Sequence, residues 1–513
     1  MTAVAGPGLR RRWDRQVLRL SGLLDGERAD RILPWLLAGL AFAIFVALDA
    51  AAVRSLEGGS GLAPWLQAAW RRQHDWAGSP VGGADPARST WSLVAEPVLW
   101  LTRFVPAEAV FTTVQAGALA LAVVPLWRLA RDDAHLRVGA SVVVATAFLL
   151  APTLHRTNLS TFHPEAIALP ALLWAYLLAR RDRWRGFAAL VVVVLACRAD
   201  LGLSVAALGI VLATQGRRLA GLATAGAGLA WSIVAVIVLD PAVPDRSLTP
   251  AGEFVARATT PLAVLPRLLA HPVAELRELL AEPSVLFLVV VLAPLLFLPL
   301  VSPRKLVMAL PALALAMIAD RSVQRVAQEG VLDLSPAAAH IAPALAFVFV
   351  ALVFALERIG ELSVTRVNVD RRVLLALLAG ATLFFVTEAP TSPYRQPWAW
   401  GSRDALDGAR LLAADEVRPG DAVAVSPTAT ALVAERARLV ELPPDPVDLT
   451  VERVASVAAA VDVVLLDTAE VAGPDGDPVW TAARRRRVLR RFAARGFRPT
   501  FEAEDVFVLE RRG

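Results

Sequence analysis

Long apolar runs recur along this chain, and nearly every gap between them carries arginine. The first run covers residues 32–53. Others begin near Glu108, Val138, Pro164, Gly186, Leu201, Leu219, Ser284, Leu306, His340 and Val373. A helix needs about 20 apolar residues to cross the hydrocarbon layer. The pattern therefore predicts an α-helical multi-pass membrane protein with about eleven spans, several of them short. Composition agrees: 56% of the chain is hydrophobic and 19% charged, against roughly 25% charged in soluble domains. The last quarter is polar and dilutes the signal.

The net charge of +5 is distributed beside the apolar runs, at Arg10 to Arg12, in residues 180–185, at Arg217 and Arg218, and at Arg371 and Arg372. Nucleic-acid recognition would need a basic surface with interleaved aromatics, and none is present. Orientation of a membrane protein is the reading that fits. Residues 1–31 hold seven arginines and no apolar core, so they are not a cleavable signal peptide. With the N-terminus in the cytoplasm, the basic loops at 128–137, 180–185, 217–218, 304–305 and 358–372 all fall inside. Segments 54–106, 240–283, 320–339 and everything after 390 then fall outside. The single cysteine, Cys197, excludes a disulfide framework.

Residues 186–215 constrain this topology. One helix of that length would be far longer than a bilayer requires, and it would invert every later loop. Two half-length segments turning at Arg198, Ala199 and Asp200 keep the charge rule. Such segments are tolerated at membrane depth only where protein or a water-filled cavity surrounds them, so a buried hairpin with its polar tip toward an external cavity is expected. From about residue 391 the pattern becomes that of a soluble α/β domain. Strands are predicted at 421–426 and 461–467, helices at 402–414 and 481–494, and a terminal hairpin from 497–502 and 506–510. No Gly-rich phosphate loop or metal-ligand spacing occurs there. The helix at 481–494 is strongly basic on one face, a solvated face or a contact for anionic headgroups.

Ionisable residues at or inside the hydrocarbon boundary are costly and therefore informative. The densest group is His155, Arg156, Thr157 and Asn158, followed by Phe162, His163, Pro164 and Glu165. Pro164 suits a first helical position, which makes His163 the expected N-cap and Glu165 a first-turn acid. A helix end facing an external cavity can hold a phosphate oxygen, with Arg156 adding a charged contact. Arg198 and Asp200 are expected at the same face. His163, Glu165 and Asp200 are of the types that share a divalent metal ion or a phosphate-bearing headgroup; as a plainer alternative, His163 and Glu165 only cap an interfacial helix. Asp49, at the outer end of the first run, and Glu96, before Pro97 in a short interfacial segment, are the other carboxylates of interest. His340 reads as an interface residue. His74 and Asp75 share a loop with Trp65, Trp70 and Trp76, which could stack on a sugar or form an ordinary interfacial belt.

Several stretches resemble a bacterial family of unknown function. They are FHPEAIALPALLWAYLLARRDRWRGF, CRADLGLSV and GRRLAGL within 162–222, Gln115 with PLWRLAR at 125–131, and LFLPLVSPRKLVMALPAL. Members are predicted multi-pass membrane proteins similar to the GT-C glycosyltransferases that use polyprenyl-phosphate sugars. The resemblance implies a GT-C-like domain over 32–390, with a first external loop at 54–106 and an extracytoplasmic α/β domain over 391–513. It also implies residence in the bacterial cytoplasmic membrane. The departures are specific. The loop acids expected of the family are absent from GLAPWLQAAW at 61–70, and Thr161 replaces an acid. A histidine expected before the next apolar segment is replaced near Thr90. Arg198-Ala199-Asp200 keeps only the ends of a charged triplet.

Three functions follow. The first is transfer of a sugar from a polyprenyl-phosphate donor to an envelope acceptor. Asp49 or Glu96 would be the base, Arg156, His163, Glu165, Arg198 and Asp200 would hold the donor phosphate, and His163, Glu165 and Asp200 would bind a metal if a divalent ion is used. The second is a degenerate relative that binds membrane lipid and envelope proteins as an assembly subunit. The third is a transporter of lipid-linked substrates, for which repeated halves with matching broken spans are expected and only one broken span is seen.

Overall fold

The computed structural model describes residues 27–56, 59–75, 86–89, 92–159, 162–239, 282–314, 317, 341–363, 365–394, 401–443, 445–469 and 479–511. Helix α1 (Glu27–Arg54) opens the bundle, with Glu27 and Asp30 in its first turn and Arg54 in its last, charges that complement the helix dipole. One face, with Ala38, Ala41 and Phe45, is buried, while Ile32, Trp35, Leu36 and Leu40 are exposed, as lipid contact would require. Next come α2 (Gly59–Gln73), α3 (Ala95–Leu101) and α4 (Ala107–Leu121). α4 runs on through α5 (Val123–Arg128) and a π turn at Leu129–Asp133. α6 (Val138–Leu149) and α7 (Pro152–Leu159) meet at a 45° bend. The order continues with α8 (Glu165–Arg180), α9 (Trp184–Cys197), α10 (Leu201–Thr214), α11 (Arg218–Leu239), α12 (Glu282–Leu292), α13 (Ala342–Ile359) and α14 (Arg371–Glu388). α13 is the central post, buried on all sides from Ala342 to Leu356.

Among the described residues, α1, the unit Ala107–Asp133 and α13 are each long and apolar enough to cross a membrane, and the bent α6–α7 pair makes a fourth candidate. The remaining apolar runs lie on described helices that fall short of that combination of length and apolarity. The break expected at 198–200 is present: α9 ends at Cys197 and α10 begins at Leu201. At about 1.5 Å per residue each arm is roughly 21 Å long. The tip does not face a cavity as expected. Arg198, Ala199 and Asp200 are all buried, because their charges are satisfied inside the protein.

Ion pairs gather the basic loops at one end of the bundle. Arg131 is fully buried and donates to both carboxylate oxygens of Asp30, at 2.6 and 2.9 Å, and to the Leu136 carbonyl. Arg180 pairs with Asp133, Arg181 with Asp132 at 2.7 Å, and Arg217 with Asp182 at 2.9 Å. A short ribbon of β1 (Glu361–Ser363) and β2 (Arg366–Asn368) closes this end, where Arg366 donates to the Arg131 carbonyl. Arg217 also draws the Asp182 carboxyl below its usual range, chiefly by hydrogen bonding.

The opposite end carries α2, α3 and a C-terminal α/β unit. Its strands β3 (Val423–Val425), β4 (Leu439–Glu441), β5 (Val463–Asp467), β6 (Phe497–Ala503) and β7 (Val506–Arg511) form one sheet in the order β4-β3-β5-β7-β6. β4, β3 and β5 are parallel, and β7 and β6 return antiparallel. Three helices flank it: α15 (Ala405–Asp415), α16 (Val451–Ala460) and α17 (Ala482–Ala493). Asp404 caps α15 in a reciprocal box with Asp407, and Thr450 and Thr481 cap α16 and α17. Strand alternation sorts the two faces. Val423, Val425, Val463, Leu465, Val506 and Val508 share a core with α15, α2 and Phe111 of α4. Ala424, Val464, Leu466, Phe507 and Leu509 pack instead on α16 and α17. The arginine-rich α17 therefore lies on the sheet face turned away from the bundle, which does not favour contact with headgroups beside that bundle.

Candidate functional site

The charged residues of the hairpin tip and of α8 converge. Arg198 donates from Nε and Nη2 to the two oxygens of Asp200, at 2.5 and 2.7 Å, and from Nη1 to Glu165 Oε1 at 2.6 Å. All three side chains are buried. A planar guanidinium offers this fork of donors in fixed geometry, and two carboxylates take it up completely on two edges. With both acids ionised the group carries one net negative charge, so Arg198 is not a spare cation for a phosphate.

His163 stands beside this triad, its Nδ1 3.8 Å from Glu165 Oε1. It is not the N-cap expected from the sequence. α8 starts at Glu165, Pro164 occupies the cap position, and no side chain caps the helix. The His163 backbone N–H donates instead to Gln115 Oε1 at 2.7 Å, and the Gln115 amide donates to the carbonyls of Thr157 and Asn158. Among the described residues no three His, Cys, Asp or Glu side chains are grouped to hold a metal ion. The set His163, Glu165 and Asp200 accordingly does not fit a metal centre, because the arginine occupies both carboxylates.

Asn158 extends this polar layer toward α1. Its amide donates to Asp49 Oδ1 at 2.7 Å and to the Phe45 carbonyl at 3.2 Å. Asp49 is 4% exposed, and its Oδ2 accepts no hydrogen bond among the described residues. Asp49, Gln115, Asn158 and Phe162 line a cleft of about 30 Å³. Above it lies a cavity of about 320 Å³ between α1, α2, the start of α4 and the segment after β3. The two share Val53 and Leu62 as walls, and the larger is lined by Glu108, Thr428 and Glu435 as well.

Other candidates lie elsewhere. Glu96, on α3, receives Arg72 on both oxygens at 3.1 and 2.7 Å. It fastens α2 to α3, is about half exposed, and lines neither hollow. Arg156 is buried and donates to the Glu388 carbonyl at the end of α14. His155 has Nε2 2.7 Å from the Leu149 carbonyl and Nδ1 2.7 Å from the Thr391 hydroxyl. A carbonyl only accepts, so Nε2 bears the hydrogen and Nδ1 accepts from Thr391. Trp65 is packed against Phe111 and Phe162, and Trp70 stacks on His74 at 4.3 Å. Neither Trp76 nor His340 is among the described residues. In the sequence nothing sets Glu108 and Glu435 apart as site residues, and Asn158 and Gln115 carry no evident role. The signals for that pair are the polar group His155 to Asn158 and the place of Gln115 beside the PLWRLAR stretch.

A family model described as "Predicted membrane protein (DUF2079)" matches residues 92–491. Chains of known structure also match. Among them is ArnT from Cupriavidus metallidurans, in a crystal structure bound to undecaprenyl phosphate. It is 11% identical, with 94% of this chain and 98% of that chain covered at a TM-score of 0.49. At that score the likeness supports no inference about this chain. No curated protein matches it.

Proposed function

The chain belongs to the DUF2079 family of predicted membrane proteins, and for this member we propose a glycosyl transfer at the end of the bundle that carries α2 and the sheet, with Asp49 as base. The observation that carries the reading is the half-satisfied carboxylate. Asp49 is held by Asn158 through one oxygen, its other oxygen is buried without a hydrogen-bond partner among the described residues, and the residue lines a cleft. Leaving a buried polar atom unpaired costs about 1–3 kcal/mol. Such a cost persists where a lone pair is needed for chemistry.

In this reading an acceptor hydroxyl in the upper cavity attacks the anomeric carbon of a polyprenyl-phosphate sugar. Its proton passes to Asp49 Oδ2. The bond from that carbon to the phosphate oxygen breaks, and the phosphate keeps the electron pair and leaves on its lipid. His163 is the group for that phosphate, its backbone held by Gln115 of the cleft. Glu165, Arg198 and Asp200 brace the hairpin tip beside it, with Arg198 as a positioning residue. The end with the basic loops is the cytoplasmic one by the charge rule, and about eleven segments, short ones included, cross or enter the bilayer.

The test compares cells carrying the native chain with cells carrying Asp49→Asn, which keeps shape and removes the base. Release of polyprenyl phosphate is expected to slow by about 10²–10⁴-fold, with accumulation of the lipid-linked sugar. A correctly folded variant that leaves lipid-linked sugar pools at native levels overturns the reading. The assembly-subunit alternative would then gain, since two carboxylates occupy Arg198 and the 61–70 stretch lacks acids. Its own signature is a stoichiometric envelope partner on purification.

A further inference from the structure

The larger cavity is built from both parts of the protein. α2 contributes Leu62 and Leu66, and the first turn of α4 contributes Glu108. Thr428, Leu432 and Glu435 come from the C-terminal unit, on the segment that begins where β3 ends. That segment lies off the carboxyl edge of the parallel strands, where open α/β sheets place their ligands. Thr428 is oriented there by donating to Asp467 Oδ2 at 2.5 Å, at the end of β5. At about 320 Å³ the hollow falls within the usual range for small-molecule sites, roughly 300–1,000 Å³.

Its charge is one-sided. Glu108 and Glu435 both line it, their charges act on each other, and neither has an ion-pair partner among the described residues. Elsewhere the chain neutralises its acids with arginine, as at Glu96, Asp132, Asp133 and Asp182. An independent observation lies at the inner end. Asp49 is buried with Oδ2 unpartnered and lines the cleft that shares Val53 and Leu62 with the cavity. Glu108 and Glu435 give the cavity a negative charge that a cationic ligand would offset, beside the cleft that holds the unpartnered Asp49 oxygen.

We propose that this hollow is the acceptor site and selects a hydroxyl-bearing molecule with a protonated amine, the amine lying between Glu108 and Glu435 and the hydroxyl toward Asp49. The inference rests on the transfer reading for the role of Asp49. The C-terminal unit then supplies half of the acceptor recognition through Thr428 and Glu435.

Three sugars of similar size and different charge test it: glucosamine, glucose and glucuronate, each titrated at pH 6.5 against the full chain in nanodiscs by saturation-transfer NMR. Glucosamine is expected to bind at least about tenfold more tightly than glucose, and glucuronate more weakly than either. The Glu108→Gln/Glu435→Gln double variant should lose the preference for glucosamine over glucose, and high salt should weaken that preference in the native chain. Equal binding of all three, no binding of any, or a preference that survives in the double variant overturns the proposal. Asp49→Asn separates the two claims. A preserved preference with native turnover defeats the transfer reading alone, and slowed turnover without any preference defeats the acceptor inference alone.

Discussion

Arg198 shows what a single side chain holds in place here. Its guanidinium bonds Asp200 two residues away and Glu165 thirty-three residues away, all three buried. Removing the cation from such a group leaves two uncompensated carboxylates, at a cost of about 3–5 kcal/mol. Arg198→Met is therefore expected to lower thermal stability in micelles steeply. The triple variant Arg198→Met/Glu165→Gln/Asp200→Asn should recover most of the loss, since it removes the stranded charges too. A single variant as stable as the native chain would mean the triad is hydrated in solution. The sequence announced Arg198 and Asp200 as costly residues in an apolar stretch. It also placed Glu165 at the same face, but it could not show that the three bond to one another instead of to a ligand, nor that Asn158 carries the polar layer across to Asp49, because amides have no periodic pattern and long-range pairs leave no local trace.

At the scale of elements, the α9–α10 break was legible because one helix over 186–215 would have defied the charge rule. How closely α10 and α11 approach was not. Gly209 lies where a Cβ would meet the backbone of Gly221 and Ala225, and Gly221 meets Gly209 and Ala213 in return. Backbone contact of this kind is the usual use of small residues between membrane helices. Gly226, on the same α11, has open space at its Cβ position. The two glycines should respond in opposite directions. Gly226→Ala is expected to be neutral or to stabilise by up to about 1 kcal/mol through helix propensity. Gly209→Ala should destabilise by about 1–3 kcal/mol through overpacking. Thermal unfolding of both variants in one lipid composition checks this, and a stabilised Gly209→Ala would show that the pair is not in contact.

The whole molecule has two chemically distinct ends. Arginine–aspartate pairs tie the basic loops together at one, and at the other α2 shares a hydrophobic core with the sheet through Leu62, Trp65 and Leu66. Arg403 also donates to the Arg54 carbonyl at the end of α1. Cysteine labelling tests which side of the membrane each end occupies, because the native Cys197 is buried. In sealed vesicles an impermeant maleimide applied to the external side should modify Arg103→Cys and Arg498→Cys. Arg137→Cys and Arg181→Cys should react only after permeabilisation. Labelling of Arg498→Cys together with Arg181→Cys from one side would refute the orientation.

The sequence by itself determined the class of this protein, the places where its helices and strands lie, and the loops that gather at one end. Those properties follow from local hydropathy and charge, each read within a window of tens of residues. Several elements still escaped it, such as β4 and α16, whose short runs carry weak patterns. Only the tertiary structure decided that Arg198 is spent inside a triad, that Glu96 is a fastener and Asp49 lines a cleft, and that the C-terminal unit closes a cavity over it. Each of those facts depends on which side chains meet across distant segments. Packing settles such meetings, and no one-dimensional pattern encodes them.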